Sequence, residues 1–238
     1  MKNRAGCVKG DCAKPISQPM FSVVITTRNR AQLLKRTLES LISQTDKDWE
    51  AIIVDDGSTD DTYAHILPYL RSRTGIKYFR KPHSGAVSSR NFGIKSSRGK
   101  YVTFLDSDDE YHPAHLESRK KYLTRNPEVK FLYGGAKILG NQYVPDKDNP
   151  SKMVNLQDCV IGGTFIIERE TLLSLNGFRP IVLGSDNDLF ERAGKANIIM
   201  GEVKLPTYIY HHENPESVTN ILCRKIDTRN QRQAIETE

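Results

Sequence analysis

Two acidic segments that follow apolar runs carry the residues best suited to chemistry. The run YVTFLDSDDE, residues 101–110, ends with Asp106 and Asp108 among its acids. In an extended segment, residues two apart point to the same side, so we expect these two carboxylates to project together and Ser107 to face away. Like charges so close need a compensating cation, and a divalent ion carrying a diphosphate would provide one. A solvated acidic turn that caps the next helix is the alternative.

The second acidic segment is WEAIIVDDGSTDDT, residues 49–62, in which Asp55 and Asp56 follow the apolar run. Gly57 allows a tight turn, and the polar residues after it are candidate helix caps. A carboxylate at this position can accept a hydrogen bond from the N–H of a nucleotide base. A helix cap without a ligand is equally compatible with the pattern.

The hydrophobic periodicity predicts the elements that position these carboxylates. Strands are predicted over residues 21–27, 49–56, 77–81, 100–106, 130–139, 162–168 and 198–212. Helices are predicted over residues 31–44, 63–70, 86–97, 113–125 and 188–196, with Pro68 shortening the second. Strands that alternate with helices imply a largely parallel sheet covered by helices, whose strand ends line a ligand crevice. We therefore predict one continuous α/β domain at residues 21–213, a polar basic extension at 1–20 and a polar tail at 214–238.

The composition favours a soluble protein in the cytoplasm. Hydrophobic residues make up 37% and charged residues 27% of the 238 residues, and no apolar run approaches the roughly eighteen residues that span a bilayer. The polar start of the chain lacks the apolar stretch of a secretion signal. Cys7 and Cys12 have no second close pair downstream, so a zinc site is a poor interpretation and reduced thiols are predicted.

The basic residues are clustered along the chain. The formal net charge is +6, and residues 71–81 and 90–100 contain no acid at all. Such segments attract phosphorylated substrates, an anionic membrane surface or nucleic acid, or they form a solvated face without a partner. Nucleic acid is disfavoured, because neither segment has the regular aromatic residues of a base-stacking surface.

Six segments, taken in order, resemble the inverting GT-A glycosyltransferases of family 2. The segments are VVITTRNR, LLKRTLESLISQT, WEAIIVDDGSTDDT, SSRNFGIKSSRGKYVTFLDSDDEY, GGTFIIE and LGSDNDLFERA. The resemblance covers residues 21–217, most of the chain. It implies a GT-A fold, an α/β architecture with a mixed, mostly parallel central sheet, a Rossmann-like nucleotide-binding half and an acceptor half.

The resemblance also implies roles on the donor side. Thr26 and Asp56 would contact the nucleotide base with Asp55 nearby, and Arg90 would lie close to the nucleotide or its diphosphate. Arg28 stands where the family often has an aromatic residue, so it would stack on the base by its guanidinium plane or not stack at all. The identity of the base is therefore open.

The family motifs assign the metal and the base. Asp106 and Asp108 form the DxD motif, in which Asp106 would approach the ribose and sugar while Asp108 would hold Mn²⁺ or Mg²⁺ on the diphosphate. Asp186 matches the catalytic base that takes the proton of the acceptor hydroxyl, although a helix cap explains it equally well. Asp106 and His212 are the further candidate metal ligands, with His211 in place of an Arg of the family. Ser185 stands where a Glu is usual.

The function implied by the resemblance is that of a metal-dependent, inverting hexosyltransferase. A sugar would pass from a nucleoside diphosphate sugar, with a UDP-sugar favoured, to a hydroxyl of a carbohydrate or glycolipid acceptor in glycolipid or cell-surface polysaccharide synthesis. The basic segments favour peripheral association with an anionic membrane at its inner face. The sugar, the linkage and the oligomeric state stay open. A non-catalytic nucleotide-sugar-binding or scaffolding relative is the alternative function.

Overall fold

The computed structural model describes residues 18–72, 75–146, 149, 152–181, 184–213, 215 and 220–221. Its strands β1 to β12 are Phe21–Thr27, Trp49–Asp55, Ile76–Arg80, Tyr101–Phe104, Glu110–Tyr111, Phe131–Tyr133, Ala136–Leu139, Tyr143–Pro145, Met153–Asn155, Ile166–Glu168, Met200–Glu202 and Tyr208–His211. Its helices α1 to α6 are Ala31–Ile42, Thr62–Ser72, Ala86–Ser96, His115–Arg125, Arg169–Ser174 and Ser185–Lys195. Two short 3-10 helices are Leu156–Asp158 and Gly162–Thr164.

A seven-stranded sheet forms the centre of the molecule, in the order β11-β6-β10-β4-β1-β2-β3. The four strands from β4 to β3 are mutually parallel, and β11 is parallel to β6. Strand β10 runs antiparallel between β4 and β6. The predicted class, an α/β protein with a mixed and mostly parallel central sheet, is confirmed.

Apolar residues cover both faces of this sheet. On β1, Phe21, Val23 and Ile25 belong to one buried cluster and Val24 belongs to the other, because neighbouring residues of a strand point to opposite faces. Helix α1 packs Leu34, Leu38 and Leu41 against the first cluster, while α3 and α6 pack against the second. Truncating one such leucine to alanine costs about 2–5 kcal/mol of stability. Helices on two faces thus hold the strand ends in fixed positions.

The parallel strands end at the same edge of the sheet. Thr27 pairs with Asp55, and Val24 pairs with Phe104, the last residue of β4. The next backbone bonds continue this alignment, since Asp56 N donates to Thr27 O at 2.9 Å and Leu105 N donates to Val24 O at 3.0 Å. Both acidic segments of the sequence therefore lie at the same edge of the sheet, on either side of the end of β1.

Two predicted strands are each divided between different sheets. The predicted strand 130–139 breaks at Gly134 and Gly135, which have φ values of 89° and 79°. A Cβ atom on Gly135 would lie 2.1 Å from the carbonyl oxygen of Leu205, so only glycine fits this corner. The predicted strand 198–212 likewise divides into β11 and β12. The second piece of each strand enters a three-stranded sheet in the order β5-β12-β7.

Arg119 of α4 fixes the corner from inside the protein. Its buried guanidinium donates to the carbonyl oxygens of Gly134 at 3.0 Å and Leu205 at 3.4 Å, and to the hydroxyls of Ser118 and Thr207. Burial lowers the pKa of Arg119 to about 10, and the side chain remains a cation at neutral pH. A cation bound by neutral oxygens thus joins α4 to the second sheet.

Other sequence predictions need smaller corrections. Helix α2 continues four residues past Pro68, whose ring removes one backbone hydrogen bond without ending the helix. The two-stranded ribbon β8–β9 and helix α5 were not predicted. The extension predicted at 1–20 and the tail predicted from 214 lie mostly outside the described residues, as do Cys7 and Cys12. Within the described residues, no helix has the length and apolar character needed to cross a membrane.

Candidate active site

A broad cleft of about 2110 Å³ opens where the parallel strands end. It brings together seven of the predicted site residues, which are Thr26, Arg28, Asp56, Arg90, Asp106, Asp108 and Asp186. The other two predicted residues, Asp55 and His212, are not among the residues that line it. Side chains more than a hundred residues apart in sequence therefore share one solvent-accessible space.

Residues 106–109, here called the acid turn, replace the extended segment that was predicted. The N–H of Asp109 donates to the carbonyl oxygen of Asp106 at 3.0 Å, and Ser107 lines the cleft with its neighbours. The expected strand alternation, with Ser107 facing away, is wrong. The chain turns because α1 binds its backbone carbonyls: Arg36 donates to Asp108 O at 2.6 Å, and Thr37 donates to Asp109 O at 2.9 Å.

Asp108 forms an ion pair with Arg30, a residue that the sequence analysis did not single out. The Nη1 atom of Arg30 lies 2.6 Å from Oδ2 of Asp108, and the two side chains are 16% and 9% exposed. Burial raises the pKa of Asp108 and the nearby Asp106 carboxylate raises it further, while Arg30 acts in the opposite direction. The second acid of the DxD motif thus depends on a guanidinium for compensation.

Arg90 connects the acid turn to α6. Its guanidinium lies 2.9 Å from Asp106 and 3.1 Å from Asp186, and it stacks over the ring of Phe178 at 5.3 Å. Burial lowers the pKa of Arg90, but the two carboxylates outweigh burial and raise it overall. The first acid of the motif and the predicted base are therefore held on opposite sides of one cation.

The backbone at Gly162 restrains the predicted base from the other side. The N–H of Gly162 donates to Oδ2 of Asp186 at 3.1 Å. A Cβ atom at this glycine would lie 2.4 Å from the Asp186 carboxyl group, so a larger residue would displace it. Helix α6 itself is capped at Gly184, which has a φ of 85° and makes no side-chain cap. Asp186 is thus oriented by groups outside its own helix.

Asp56 accepts hydrogen bonds from four groups at the end of β2. The donors are Lys81 Nζ at 2.5 Å, His83 Nδ1 at 2.6 Å and the backbone N–H groups of Ser84 and Gly85 at 2.9 Å. Burial raises the pKa of Asp56, but these bonds, led by Lys81, outweigh burial and lower the pKa. The carboxylate is thus ionised and fixed in place.

The ring of His83 links Asp56 to Arg28. Its Nε2 atom lies 3.0 Å from Nη1 of Arg28, and a guanidinium can only donate. The ring therefore accepts from Arg28 at Nε2 and donates to Asp56 from Nδ1, which makes it the neutral imidazole. By contrast, Asp55 is buried and accepts from Ser58 N at 2.7 Å and Tyr78 Oη at 2.5 Å. Asp55 shapes the turn beneath the cleft.

The predicted histidine lies behind the cleft wall. His212 is buried, with Nδ1 2.6 Å from the carbonyl oxygen of Asn141 and Nε2 without a hydrogen-bond partner in the described part of the chain. Its neighbour His211 lies between Glu110 and Glu213, with both ring nitrogens 2.6 Å from a carboxylate oxygen. The residue of this segment that lines the cleft is Tyr210.

The carboxylates suit a divalent cation that is shared with a substrate. Oxygen atoms of Asp106 and Asp108 are ligands of the type that Mg²⁺ and Mn²⁺ prefer. No three His, Cys, Asp or Glu residues converge as a metal site within the described residues. Mg²⁺ in nucleotide sites is usually held by one or two carboxylates together with substrate phosphates. The residues present fit that shared arrangement and do not fit a cation held by protein alone.

The residues that neutralise or anchor the acids were not predicted from the sequence. Arg30 and Lys81 could have been sought because buried carboxylates need cationic partners, but no local pattern shows which cation folds against which acid. Asp109 was also missed. It is fully buried and accepts from Tyr208 Oη at 2.6 Å and His211 N at 2.8 Å. Burial raises the pKa of Asp109, and the nearby Asp106 and Asp108 carboxylates raise it further. The hydrogen bonds from Tyr208 and His211 tie the acid turn to β12.

Comparison with known proteins shows that this chain is similar to glycosyltransferases. Residues 22–168, more than half of the chain, match glycosyl transferase family 2. An uncharacterized glycosyltransferase of Rickettsia bellii is 39% identical over 105 residues, 44% of this chain and 15% of the relative. The chain spans less than a fifth of the length of that relative and of two similar Rickettsia proteins. The Escherichia coli protein WfgD, UDP-Glc:alpha-D-GlcNAc-diphosphoundecaprenol beta-1,3-glucosyltransferase, is 29% identical over 187 residues, 76% of this chain and 72% of WfgD.

Solved structures share the fold at lower identity. S. aureus TarS 1–349, in complex with UDP-GlcNAc, superposes with a TM-score of 0.69 at 23% identity, covering 83% of this chain and 60% of TarS. The mannosyltransferase PcManGT of Pyrobaculum calidifontis, in complex with GDP-Man and Mn²⁺, gives a TM-score of 0.67 at 17% identity, covering 87% of this chain and 61% of PcManGT. The chain therefore has the fold of these two transferases.

Proposed function

The chain belongs to glycosyl transferase family 2, and from this premise we propose the reaction that its cleft performs. A sugar passes from a nucleoside diphosphate sugar, with a UDP-sugar favoured, to an acceptor hydroxyl, with inversion at the anomeric carbon. The observation that most strongly supports this proposal is the bridge made by Arg90 between Asp106 and Asp186. It puts the acid turn, where a diphosphate would bind, next to a carboxylate that can act as a base.

The donor side of the cleft has groups for each part of a nucleotide. Asp56 has a fixed, ionised carboxylate that would accept from the N–H of a base, and Thr26 lines the cleft beside it. Arg28 would contact the base through its guanidinium plane or through His83, its neutral partner. Asp55 would support this contact from beneath, and Arg90 would approach the diphosphate. UDP-GlcNAc bound to TarS supports UDP as the first nucleotide to test.

Asp106 and Asp108 would hold Mn²⁺ or Mg²⁺ together with diphosphate oxygens, and Mn²⁺ in the PcManGT complex supports a metal of this kind. When bound, a divalent cation acts as a Lewis acid that stabilises the negative charge of the leaving diphosphate. His212 is the third proposed ligand, because its Nε2 is buried and has no hydrogen-bond partner among the residues described. His212 does not line the cleft, so its ring would have to turn toward the cleft to bind the cation.

Asp186 would accept the proton of the attacking hydroxyl as the acceptor oxygen bonds to the anomeric carbon. Gly162 and Arg90 hold this carboxylate in one orientation, which lowers the cost of arranging the base before reaction. The carboxylate keeps lone pairs beyond those that accept the two observed hydrogen bonds. A proton can therefore be taken without breaking either contact.

The acceptor is proposed to be a carbohydrate or glycolipid. WfgD is named for an acceptor in which a sugar is joined through a diphosphate to undecaprenol. A lipid acceptor would bring this protein to an anionic membrane surface, and the exposed Arg71, Lys95 and Lys100 of the acid-free segments 71–81 and 90–100 would carry charge for such an association. Recovery in the soluble fraction at every salt concentration would argue against membrane association.

Nucleotide binding tests the proposal directly. UDP, GDP, CMP and dTDP would be compared with and without Mn²⁺, by thermal shift and calorimetry, on the wild type and on Asp108→Ala. A ligand that binds the native state alone raises the melting temperature. We expect Mn²⁺-dependent stabilisation by one diphosphate and its loss in the variant. If no nucleotide binds under any condition, the proposed reaction is wrong. If a nucleotide-sugar binds but no acceptor in a screen yields turnover, a non-catalytic binding protein becomes the better interpretation.

A further inference from the structure

Arg30 already supplies a positive charge to the carboxylate that we propose as a metal ligand. Its guanidinium is in direct contact with Asp108, the proposed metal ligand, and it lines the cleft. We propose that Arg30 is a resident counter-cation, which neutralises Asp108 before the donor binds and moves to the donor diphosphate when a divalent cation takes its place on Asp108. This inference rests on the proposed function, since it assigns a donor to the same cleft.

The charges around the acid turn require such a compensation. Three carboxylates, those of Asp106, Asp108 and Asp186, meet two guanidiniums, those of Arg30 and Arg90. A mostly buried carboxylate beside another carboxylate is costly without a cation. A bound diphosphate adds negative charge and a divalent cation adds two positive charges. After the exchange, Asp108 is still neutralised and Arg30 has a new anionic partner.

The fold allows Arg30 to leave without unmaking the turn. The backbone of the acid turn is held by Arg36 and Thr37, which bind the carbonyl oxygens of Asp108 and Asp109. The side chain of Arg30 forms an ion pair with the Asp108 carboxylate. The shape of the turn is therefore held by Arg36 and Thr37 of α1, whereas its charge is compensated by Arg30 at the N-cap of the same helix. Breaking the ion pair leaves the carbonyl contacts in place.

The backbone under Arg30 is fixed, so its long side chain alone would move. Asn29 has a φ of 51°, in the left-handed region that Asn tolerates. Its N–H donates to Ser58 Oγ at 3.0 Å, and its side chain accepts from Thr59 N at 2.8 Å. Arg30 follows as the N-cap residue of α1. A planar guanidinium on such a base can bind two phosphate oxygens in parallel.

The test separates metal binding from nucleotide binding. Calorimetry would measure the Kd of Mn²⁺ alone and the Kd of UDP in EDTA, with GDP as a second nucleotide. The variants are Arg30→Gln and Arg30→Lys. The matched control is Arg125→Gln, which removes one positive charge at the exposed C-terminal end of α4, before β6 and at the opposite end of the sheet.

Opposite effects on the two ligands are expected from Arg30→Gln. Mn²⁺ should bind about tenfold more tightly because its competitor is gone, and metal-free UDP should bind about tenfold more weakly because a diphosphate contact is lost. Arg30→Lys should keep the wild-type affinity for Mn²⁺ but lose part of the UDP affinity, because an ammonium lacks the parallel fork. The control should change neither Kd by more than about twofold. Unchanged or weaker Mn²⁺ binding by a folded Arg30→Gln would overturn the proposal, as would unchanged UDP binding.

Asp108→Asn gives a second measurement that does not require Arg30 to be altered. Releasing Arg30 from its partner should strengthen metal-free UDP binding several-fold, and adding Arg30→Gln to this variant should remove the gain. Equal UDP affinities in wild type and Asp108→Asn would contradict the exchange. If wild type binds neither UDP nor GDP, the proposed function fails, whereas the Mn²⁺ titrations still decide whether Arg30 competes for Asp108.

Discussion

The two walls of the cleft differ in the polarity and the exposure of their side chains. We call the ends of β1 and β2 together with the acid turn the donor wall, after their proposed role, and each of their cleft carboxylates has a cationic partner. We call the ribbon β8–β9 the acceptor wall, because we propose that an acceptor contacts it, and it carries Tyr143 and Met153, which are 50% and 53% exposed. Its register pairs Pro145 with Met153, so the exposed apolar side chains share one face. The donor wall is organised before a ligand arrives, whereas the acceptor wall leaves apolar surface in water.

This difference indicates where specificity is set. Charged groups with fixed partners bind a constant part of a substrate, such as a diphosphate, with little reorganisation. Exposed apolar groups on a two-stranded ribbon gain free energy only when a partner covers them. We therefore expect changes in the donor wall to abolish chemistry or stability, and changes in the acceptor wall to alter acceptor use alone.

The largest effect is expected from Asp186→Asn. Removing the base should reduce kcat by about a thousandfold, within the range that general base catalysis supplies, while the Kd of UDP stays within about twofold. The measurements are initial rates with the donor and acceptor found by screening, and calorimetry with UDP. Asp188→Asn is the control, because Asp188 also lies in the first turn of α6 but pairs with Arg192 and Arg179. A kcat loss of similar size in both variants would show that Asp186 has no special role as the base.

Arg90→Ala should have the next largest effect, on stability. It leaves Asp106 and Asp186 without their shared cation, which should cost about 3 kcal/mol in the free energy of unfolding by urea. Arg98→Ala removes an arginine that is half exposed and pairs with Glu50, which Lys77 also compensates. Solvent screening should limit the cost of that control to about 1 kcal/mol. Equal costs would mean that the bridge is no stronger than a surface pair.

A pH dependence follows from Asp56. Since folding lowers the pKa of this carboxyl, its stabilisation is present above the unfolded pKa of about 4 and is lost as pH falls through the folded value. Asp56→Asn should therefore cost about 2 kcal/mol at pH 7, with the difference from wild type shrinking at strongly acidic pH. Urea unfolding at a series of pH values measures this. The exposed Asp61→Asn serves as the reference, and a constant difference down to acid unfolding would contradict the ion-pair account.

The smallest effect on the folded protein is expected in the acceptor wall. Tyr143→Ser together with Met153→Ser should change the free energy of unfolding by no more than about 0.5 kcal/mol, because both side chains are half exposed. The Kd of UDP should not change, while the KM of an apolar acceptor should rise several-fold. A rise in the UDP Kd of the same size would show that the two walls do not act separately.

The parallel half of the fold and most of the cleft could be predicted from local patterns. The prediction for β1 matches its observed range because FSVVITT is rich in β-branched residues, which are buried in two apolar layers, and Asp56 and Asp106 lie within two residues of the ends of β2 and β4. The corner at Gly134 and Gly135 could not be predicted in the same way. Its need for glycine comes from carbonyl groups of residues 203 and 205, which no local window contains.

Contacts between residues that are far apart in sequence also could not be predicted from local patterns. The sequence marks Asp108 as a carboxylate in need of a cation, but the choice of Arg30 depends on the position of α1 over the acid turn. The orientation of Asp186 by Gly162 could not be predicted either, because the contact is made by a backbone N–H group, which every residue type except proline carries. For His212 the family motif proposes a metal ligand, and the structure adds that its ring is buried and does not line the cleft.

Arg119 has a consequence for the order in which the chain assembles. Its guanidinium can leave water only when the carbonyl groups of Gly134 and Leu205 are both in place to accept from it. With either segment undocked, the buried cation would lose part of its acceptors, at a cost of several kcal/mol. We therefore expect β7 and β12 to dock over α4 together. A nascent chain released before Leu205 would keep this corner open.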